Sequence, residues 1–592
     1  MKKKKKEKKI TYRECRSIKR LDGLKMKTLK QYTFRAFLDA IVSRTGKLTA
    51  YSVFGEDKEK SISYNHLKYY SEAVSSFLLK NGLQKGDKVA IMGESCPNWM
   101  IMYLGCTIVG IVAVPILPDF SSSEVCEILK QSDSKAICIL SKHYKKIETK
   151  VKEDHLLTIR MDDLAYVPTI AEGYDFQSSP AIAIKEKQVD HVLINTSTPD
   201  EEDLASIIYT SGTTGRSKGV MLTHKNLLVS ADESTDTYVK INKGDKVLSI
   251  LPMSHCYEFS IAHLLCLLRG CEITFLGKPP ATTILMRAFK EIRPHIILTV
   301  PLLIEKIYKS AVAPVIKTDE KIKKLLKNPL TRPIVYHSIK NKLVTTMGGR
   351  MKFFGIGGAP LDKEVEEFLF KAKFPYAPGY GLTETSPLIA ASGPKKRQHR
   401  LGYIGKVVKH DRVILLDKNE EGIGEIAVKG PNVMKGYYKR DDLNDEVFTS
   451  DGYFKTGDLG YISNEGFLTI KGRVKTMILG PSGENIYPEV IESIINNMDY
   501  VQESIIVPGE GGLVALIKLD LESIQDKLKM SAEEAKDFAE KYLAKLKKAV
   551  NAELSSFSRI SETQLQEKDF ERTPTQKIKR FLYSGKKKKD EK

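Results

Sequence analysis

The 592-residue chain predicts an α/β fold with largely parallel sheets, followed by a smaller α+β unit. Three observations carry this. From about residue 30 to 440, short apolar runs alternate with helical periods, the pattern of parallel strands covered by helices. Residues 401–472 then become rich in glycine and β-branched residues, which predicts antiparallel strands and turns resembling a small barrel. After a break near Gly472–Lys475, the spacing predicts a helix near 488–497, strands near 503–507 and 513–519, and a Lys/Ala/Glu-rich helix near 531–552.

Taken in order, KVAIMG (88–93), AICIL (136–140), KVLSIL (246–251), EITFL (272–276), HIILTV (295–300) and KFFGIGG (352–358) read as short buried strands. Helices are expected between them, for example over 224–233 and 361–373. The first of these is capped by Thr223 and opens on His224, read as structural. The uncharged stretch from Trp99 to Pro118 is long enough to span a bilayer. Gly105, Gly110, Pro115 and Pro118 interrupt it, so a buried helix ending near Gly110 and then a buried strand are expected instead. Residues 310–347 carry many Lys and Ile/Leu with Pro314, Pro329 and Pro333, and read as an irregular helical insertion.

Composition narrows the function. Hydrophobic content of 42% with 28% charged residues is that of a soluble globular protein of two to four domains. The 8 cysteines show no C-x-x-C pair, which argues against a zinc site or a disulfide framework and favours a reducing cytosol. Net charge is +20, and residues 1–9 (seven Lys, one Glu) and 586–592 (five Lys, one Asp, one Glu) hold +9 of it. The N-terminal lysines precede no apolar segment and form no secretory signal. Such tails are solvated ends or peripheral contacts with anionic membrane. No aromatic-basic interleaving points to nucleic acid, which is not expected as a partner.

Residues 207–224 read IIYTSGTTGRSKGVMLTH. From Ser211 to Gly219 every residue but Arg216 is Gly, Ser, Thr or Lys. Glycine frees the backbone N–H groups at Gly212 and Gly215, while Thr210, Ser211, Thr213 and Thr214 add hydroxyls and Lys218 a cation. Such a loop suits a polyphosphate. It is no Walker loop, because Lys218 precedes Gly219 and strand-like residues follow. GIGGAPL (355–361) offers glycines after a strand. PGYGLTETS (378–386) offers an aromatic face at Tyr380, a hydroxyl at Thr383 and a hard oxygen ligand at Glu384. In DGYFKTGDLG (451–460), Asp458 between glycines can accept from a diol. GRVK (472–475) and ERTPTQKIKR (571–580) complete the set.

In this order the motifs resemble those of the adenylate-forming family: acyl-CoA synthetases, adenylation domains and luciferases. PMSHCYEF (252–259) and GGRMKFFGIGGAPL (348–361) are most similar to long-chain fatty acyl-CoA synthetases. The resemblance implies a large domain over 31–472, a small mobile lid over 473–585 and basic tails at 1–30 and 586–592. It implies a cytoplasmic ligase, peripheral at a membrane at most, that uses ATP, Mg²⁺ and coenzyme A to convert a medium- or long-chain fatty acid first to acyl-AMP and then to acyl-CoA. Gly358, Ala359 and Pro360 would line the adenine pocket together with Tyr380 and Gly381. Thr383 would bind phosphate, and Glu384 would hold the metal. Asp458 and Arg473 would hold ribose, Lys475 would be the hinge, Lys577 the catalytic lysine of a mobile loop, and Lys218 its partner on the phosphates. His255 and Glu258 would lie near the acyl pocket. Ser217, Tyr453 and Gln576 depart from the family's proline, tryptophan and glycine. Two alternatives stay open: transfer to the thiol of an acyl carrier protein, and an idle member of the fold.

Overall fold

The computed structural model describes residues 29–168, 175–185, 187–211, 217–233, 240–395, 398–479, 485–509, 511–573 and 578–583. The apolar runs sort into two large sheets. In the nine-stranded sheet, Leu204–Ser211, Val112–Ile116, Lys88–Met92, Ser134–Ile139 and Leu157–Arg160 lie side by side and parallel. Ser217–Thr223 folds back antiparallel on Leu204–Ser211, with Lys218 opposite Thr210.

The thirteen-stranded sheet begins with Ile62–Ser63, antiparallel to Thr49–Val53, and then runs through parallel strands: Thr49–Val53, Glu272–Phe275, Lys246–Ser249, Ile296–Thr299, Phe353–Ile356 and Tyr376–Gly381. It continues as the expected antiparallel strands, which extend the same sheet from Leu388–Ala391 outward to Arg412–Leu416.

One hydrophobic core takes side chains from both large sheets and from the helix Pro97–Thr107. That helix is buried on every side, which is why its sequence is apolar all round. Trp99 stacks on Tyr103, and Tyr103 packs on Phe259 with ring centroids 4.5 Å apart. The strand Val112–Ile116 follows, so the 99–118 stretch is helix then strand as expected. Among the described residues no helix is long and apolar enough to cross a membrane. His224 opens the helix His224–Glu233, and its Nδ1 accepts from the Phe34 N–H at 3.2 Å. Thr223 Oγ1 caps that helix by accepting from Asn226 N–H. The insertion forms Ala313–Thr318, Glu320–Lys327 and Arg332–Thr346.

A separate hydrophobic core gathers residues from Ile486 to Ile560. Here Pro488–Asn496 and Ala532–Glu553 pack on a sheet of Val501–Gly509, Gly512–Leu519 and Ile560–Leu565. The helix Pro488–Asn496 approaches Gly472 so closely that a Cβ there would sit 3.1 Å from Glu489 Oε2 and 3.3 Å from Tyr487.

Candidate active site

The strands on either side of the glycine-rich segment, Leu204–Ser211 and Ser217–Thr223, pair antiparallel, so Thr210 and Lys218 face each other where the two strands reach that segment. Gly212, Thr213, Thr214 and Gly215 lie outside the described residues, as does the side chain of Ser211. Lys218 Nζ sits 4.8 Å over the ring of Tyr437. Burial lowers the Lys218 ammonium from its ordinary value, the charge of Lys475 lowers it further, and Glu384 pulls it back. The half-buried Lys218 thus feels the charge of the exposed Lys475, an arrangement that favours an anion nearby.

Tyr437 also donates to Glu384 Oε1 at 2.8 Å, so one ring carries both the cation and the carboxylate. It reaches them because Gly436–Tyr437 pairs with the edge strand Ser217–Thr223, with Val220 opposite Tyr437. Glu384 lies in the one-turn helix Thr383–Thr385, held by its neighbours. Its carbonyl accepts from Met434 N–H at 2.8 Å, and Asn432 Nδ2 donates to the carbonyls of Thr385 and Leu388, both at 3.0 Å. Thr385 Oγ1 donates to the Pro387 carbonyl at 2.6 Å, whereas the Thr383 hydroxyl makes no hydrogen bond among the described residues. Gly381 has a structural reason to be glycine, because a Cβ there would lie 1.6 Å from the Pro387 carbonyl oxygen.

Asp458 and Arg473 are cross-strand partners, and Arg473 Nε meets Asp458 Oδ1 at 2.9 Å. Tyr380 Oη donates to Asp458 Oδ2 at 2.9 Å. The tyrosine expected at adenine and the two residues expected at ribose therefore form one cluster. Lys475 lies in the turn just after Arg473, where Thr476 and Met477 N–H both donate to the Arg473 carbonyl.

Gly358, Ala359 and Pro360 are exposed at the carboxyl end of Phe353–Ile356, the end of a parallel strand where ligands bind. The preceding glycines serve Tyr257: a Cβ at Gly355 would lie 2.9 Å from its hydroxyl, and one at Gly357 3.2 Å from its ring. Tyr257, Ile261 and Leu265 share one face of the 257–265 segment. Opposite them are Leu298, Gly355 and Leu388, and between lies a small apolar cavity of about 50 Å³. Neither His255 nor Glu258 lines it.

Glu258 lies instead in a buried polar chain, because Glu258–Leu265 is a π-helix whose wider turn brings residue 263 beneath residue 258. Tyr51 Oη lies 3.1 Å from His263 Nδ1, His263 Nε2 lies 3.2 Å from Ser249 Oγ, and Ser249 donates to Glu258 Oε1 at 2.6 Å. Burial pushes the Glu258 carboxyl up to about 8, against the pull of Ser249 and of the Leu251 and Ile250 N–H groups. Burial also pushes His263 down to about 3. This is a neutral chain inside the core, on a different face from the cavity.

Lys577 lies outside the described residues. The chain on either side of it is fixed: Arg572 pairs with Glu503, and Arg580 pairs through both terminal nitrogens with the buried carboxylate of Glu492. Arg572 also bridges to Ile578.

Residues 38–438 match the AMP-binding enzyme family, about two thirds of the chain. The chain belongs to this family. The peroxisomal long chain acyl-CoA synthetase 7 of Arabidopsis thaliana is 28% identical over 502 residues, 78% of this chain and 69% of that protein. The 4-coumarate–CoA ligase 1 of Petroselinum crispum is 27% identical over 465 residues, 76% of this chain and 77% of that one. The crystal structure of ATP-bound MatB from Rhodopseudomonas palustris superposes with a TM-score of 0.70 and 23% identity, covering 93% of this chain and 98% of MatB, which establishes the shared fold. For this AMP-binding enzyme the match ends before Asp458, Arg473 and the C-terminal unit.

Two functional candidates escaped sequence reasoning. Tyr437 carries no motif signal beyond the aromatic pair in KGYYKR, and its place depends on strand pairing. Tyr257 stands between His255 and Glu258, and the four-residue spacing to Ile261 and Leu265 would have found it.

Proposed function

We propose that this AMP-binding enzyme joins a medium- or long-chain fatty acid to coenzyme A at the expense of ATP. One observation carries the reading. The strand Tyr376–Gly381 borders the apolar cavity with Ala377, Pro378 and Gly379, then enters the polar cluster with Tyr380 and, just beyond its end, Glu384. An acyl chain in the cavity would present its carboxylate to a nucleotide held between Asp458, Arg473, Lys218 and the 210–218 loop. A carboxylate oxygen then bonds to the α-phosphorus while the bond to pyrophosphate breaks. The thiol sulfur next attacks the acyl carbonyl, and AMP leaves. Both steps are governed by placed charge, so no protein nucleophile is required.

Glu384 fits Mg²⁺: it is a hard carboxylate whose Oε1 accepts from Tyr437 and whose Oε2 has no donor among the described residues. When bound, the ion would neutralise phosphate charge. Lys577 would serve the first step. Residues 31–472 and 473–585 would form two units turning about Lys475, a division supported by the separate hydrophobic core on the C-terminal side.

The test is ATP–pyrophosphate exchange with a panel of carboxylates, with coenzyme A or an acyl carrier protein supplied afterwards. Exchange driven by fatty acids and thioester formation on coenzyme A are expected. Preference for acetate or an aromatic acid refutes the substrate class, transfer to the carrier protein alone refutes the acceptor, and absence of exchange with every acid refutes a catalytic role.

A further inference from the structure

The insertion between the strands Ile296–Thr299 and Phe353–Ile356 presents a surface the catalytic reading does not use. We propose that the corner joining Glu320–Lys327 to Arg332–Thr346 docks on an anionic lipid bilayer. Residues 313–346 hold eight Lys or Arg and two acidic residues. In Glu320–Lys327, Ile322, Leu325 and Leu326 share one side, lysines occupy positions 321, 323, 324 and 327, and no residue is buried. A helix this short is not stable in isolation, and no core holds it.

Hydrogen bonds hold it instead. Asp319 Oδ1 accepts from the N–H groups of Lys321 (2.9 Å) and Ile322 (3.1 Å) at one end. At the other, Thr331 Oγ1 donates to the Leu325 carbonyl and Arg332 Nε to the Leu326 carbonyl at 2.8 Å. Asn328 Oδ1 accepts from Leu330 N–H at 2.9 Å. The corner is thereby fixed with Leu330 83% and Ile334 68% exposed, beside exposed Pro329 and Pro333. Val335 and Leu343 are buried on the body side of the second helix, so the corner projects from a rigid base.

An apolar tip ringed by cations is an interfacial anchor: the tip enters the acyl boundary and the lysines meet headgroup phosphates. Lys321, Lys324 and Lys327 make no ion pair among the described residues and are available for that role. A protein partner is the weaker match, because two strongly exposed apolar side chains offer it little area, whereas the lysines beside them suit a surface of phosphates. A fluid bilayer conforms to such a tip. The surface is separate from the lysine tails and does not depend on the catalytic reading.

The test places a reporter on the tip. The chain's single tryptophan, Trp99, is buried and gives a constant background. In the full chain, Leu330→Trp and, independently, Ile334→Trp should shift to the blue when phosphatidylcholine–phosphatidylserine vesicles are added, and be quenched by brominated lipid. Pure phosphatidylcholine should act more weakly. The double variant L330S/I334S should sediment with these vesicles roughly tenfold less or weaker still. Neutralising Lys324 and Lys327 to Gln should cost about fivefold each on phosphatidylserine vesicles. Pyrophosphate exchange on a water-soluble acid should remain in every variant, which separates failure at this surface from failure of the catalytic assignment. Unshifted emission from both reporters while the protein sediments with vesicles overturns the proposal. So does a shift produced without lipid, by an acidic carrier protein or by raising the concentration of the enzyme itself.

Discussion

Replacing Glu258 by Gln should flatten the dependence of stability on pH between about 6.5 and 8. Glu258 is fully buried, and its carboxyl is raised from 4.5 to about 8. A raised acid keeps its proton in the folded state after the unfolded chain has released it. Its contribution to stability is therefore complete below about 4.5, declines as pH rises, and is gone above about 8. His263, lowered from 6.5 to about 3, has the opposite sense: its contribution is present above 6.5 and is lost as pH falls toward 3. From 4.5 to 6.5 the two slopes cancel, and from 6.5 to about 8 Glu258 acts alone. One proton over about 1.5 pH units, at about 1.4 kcal/mol per unit, gives a loss of about 2 kcal/mol that the Glu258→Gln variant would not share. Gln keeps the volume and still accepts from Ser249, so the difference between the two proteins isolates the proton. The assay is urea unfolding at several pH values across the window, read by Trp99, which lies in the same hydrophobic core as this helix. Parallel curves for wild type and E258Q would refute the reasoning. A difference confined to pH below 4.5 would show that the carboxyl titrates normally.

Lys577→Ala should slow acyl-AMP formation by about 10²–10³-fold, the usual effect of losing one preorganised donor, while supplied acyl-AMP is still converted to thioester. Normal pyrophosphate exchange by the variant would remove Lys577 from the first step. Glu384→Gln should abolish exchange or raise the Mg²⁺ requirement strongly, and a magnesium titration identical to wild type would rule out its metal role. Tyr257→Ala should open the apolar cavity and move the ranking of kcat/KM toward longer or bulkier acids; an unchanged ranking across a chain-length series would show that the acyl group binds elsewhere.

Much of the fold was legible because its strands are short, apolar and bounded by Gly or Pro, as at Lys88–Met92 and Phe353–Ile356. Pro115 and Gly110 were enough to separate a buried helix and strand from a membrane span. The polar contacts were legible where their residues sit in contiguous motifs, as with Tyr380 and Glu384. Contacts created by pairing were not legible. Tyr437 reaches Lys218 and Glu384 only because its strand joins the edge of a hairpin far away in sequence. Ile560–Leu565 was missed because ISETQL buries little and alternates weakly. Glu258 was expected near the acyl pocket from the resemblance of PMSHCYEF alone, and a regular helix gives no reason to pair it with His263. That contact depends on the wide π-helical turn, which no period of 3.6 residues reveals.

The fit of Tyr257 against Gly355 and Gly357 makes the cavity adjustable from one side only. A side chain added at Gly355 would have to displace the Tyr257 hydroxyl at 2.9 Å and Leu298 at 2.5 Å, and one at Gly357 would press on the ring at 3.2 Å. Shrinking residue 257, by contrast, disturbs no backbone. Variation in what this cavity accepts should therefore accumulate on the helical segment, while the facing strand stays fixed, so that a change of substrate size leaves untouched the strand leading toward Gly358.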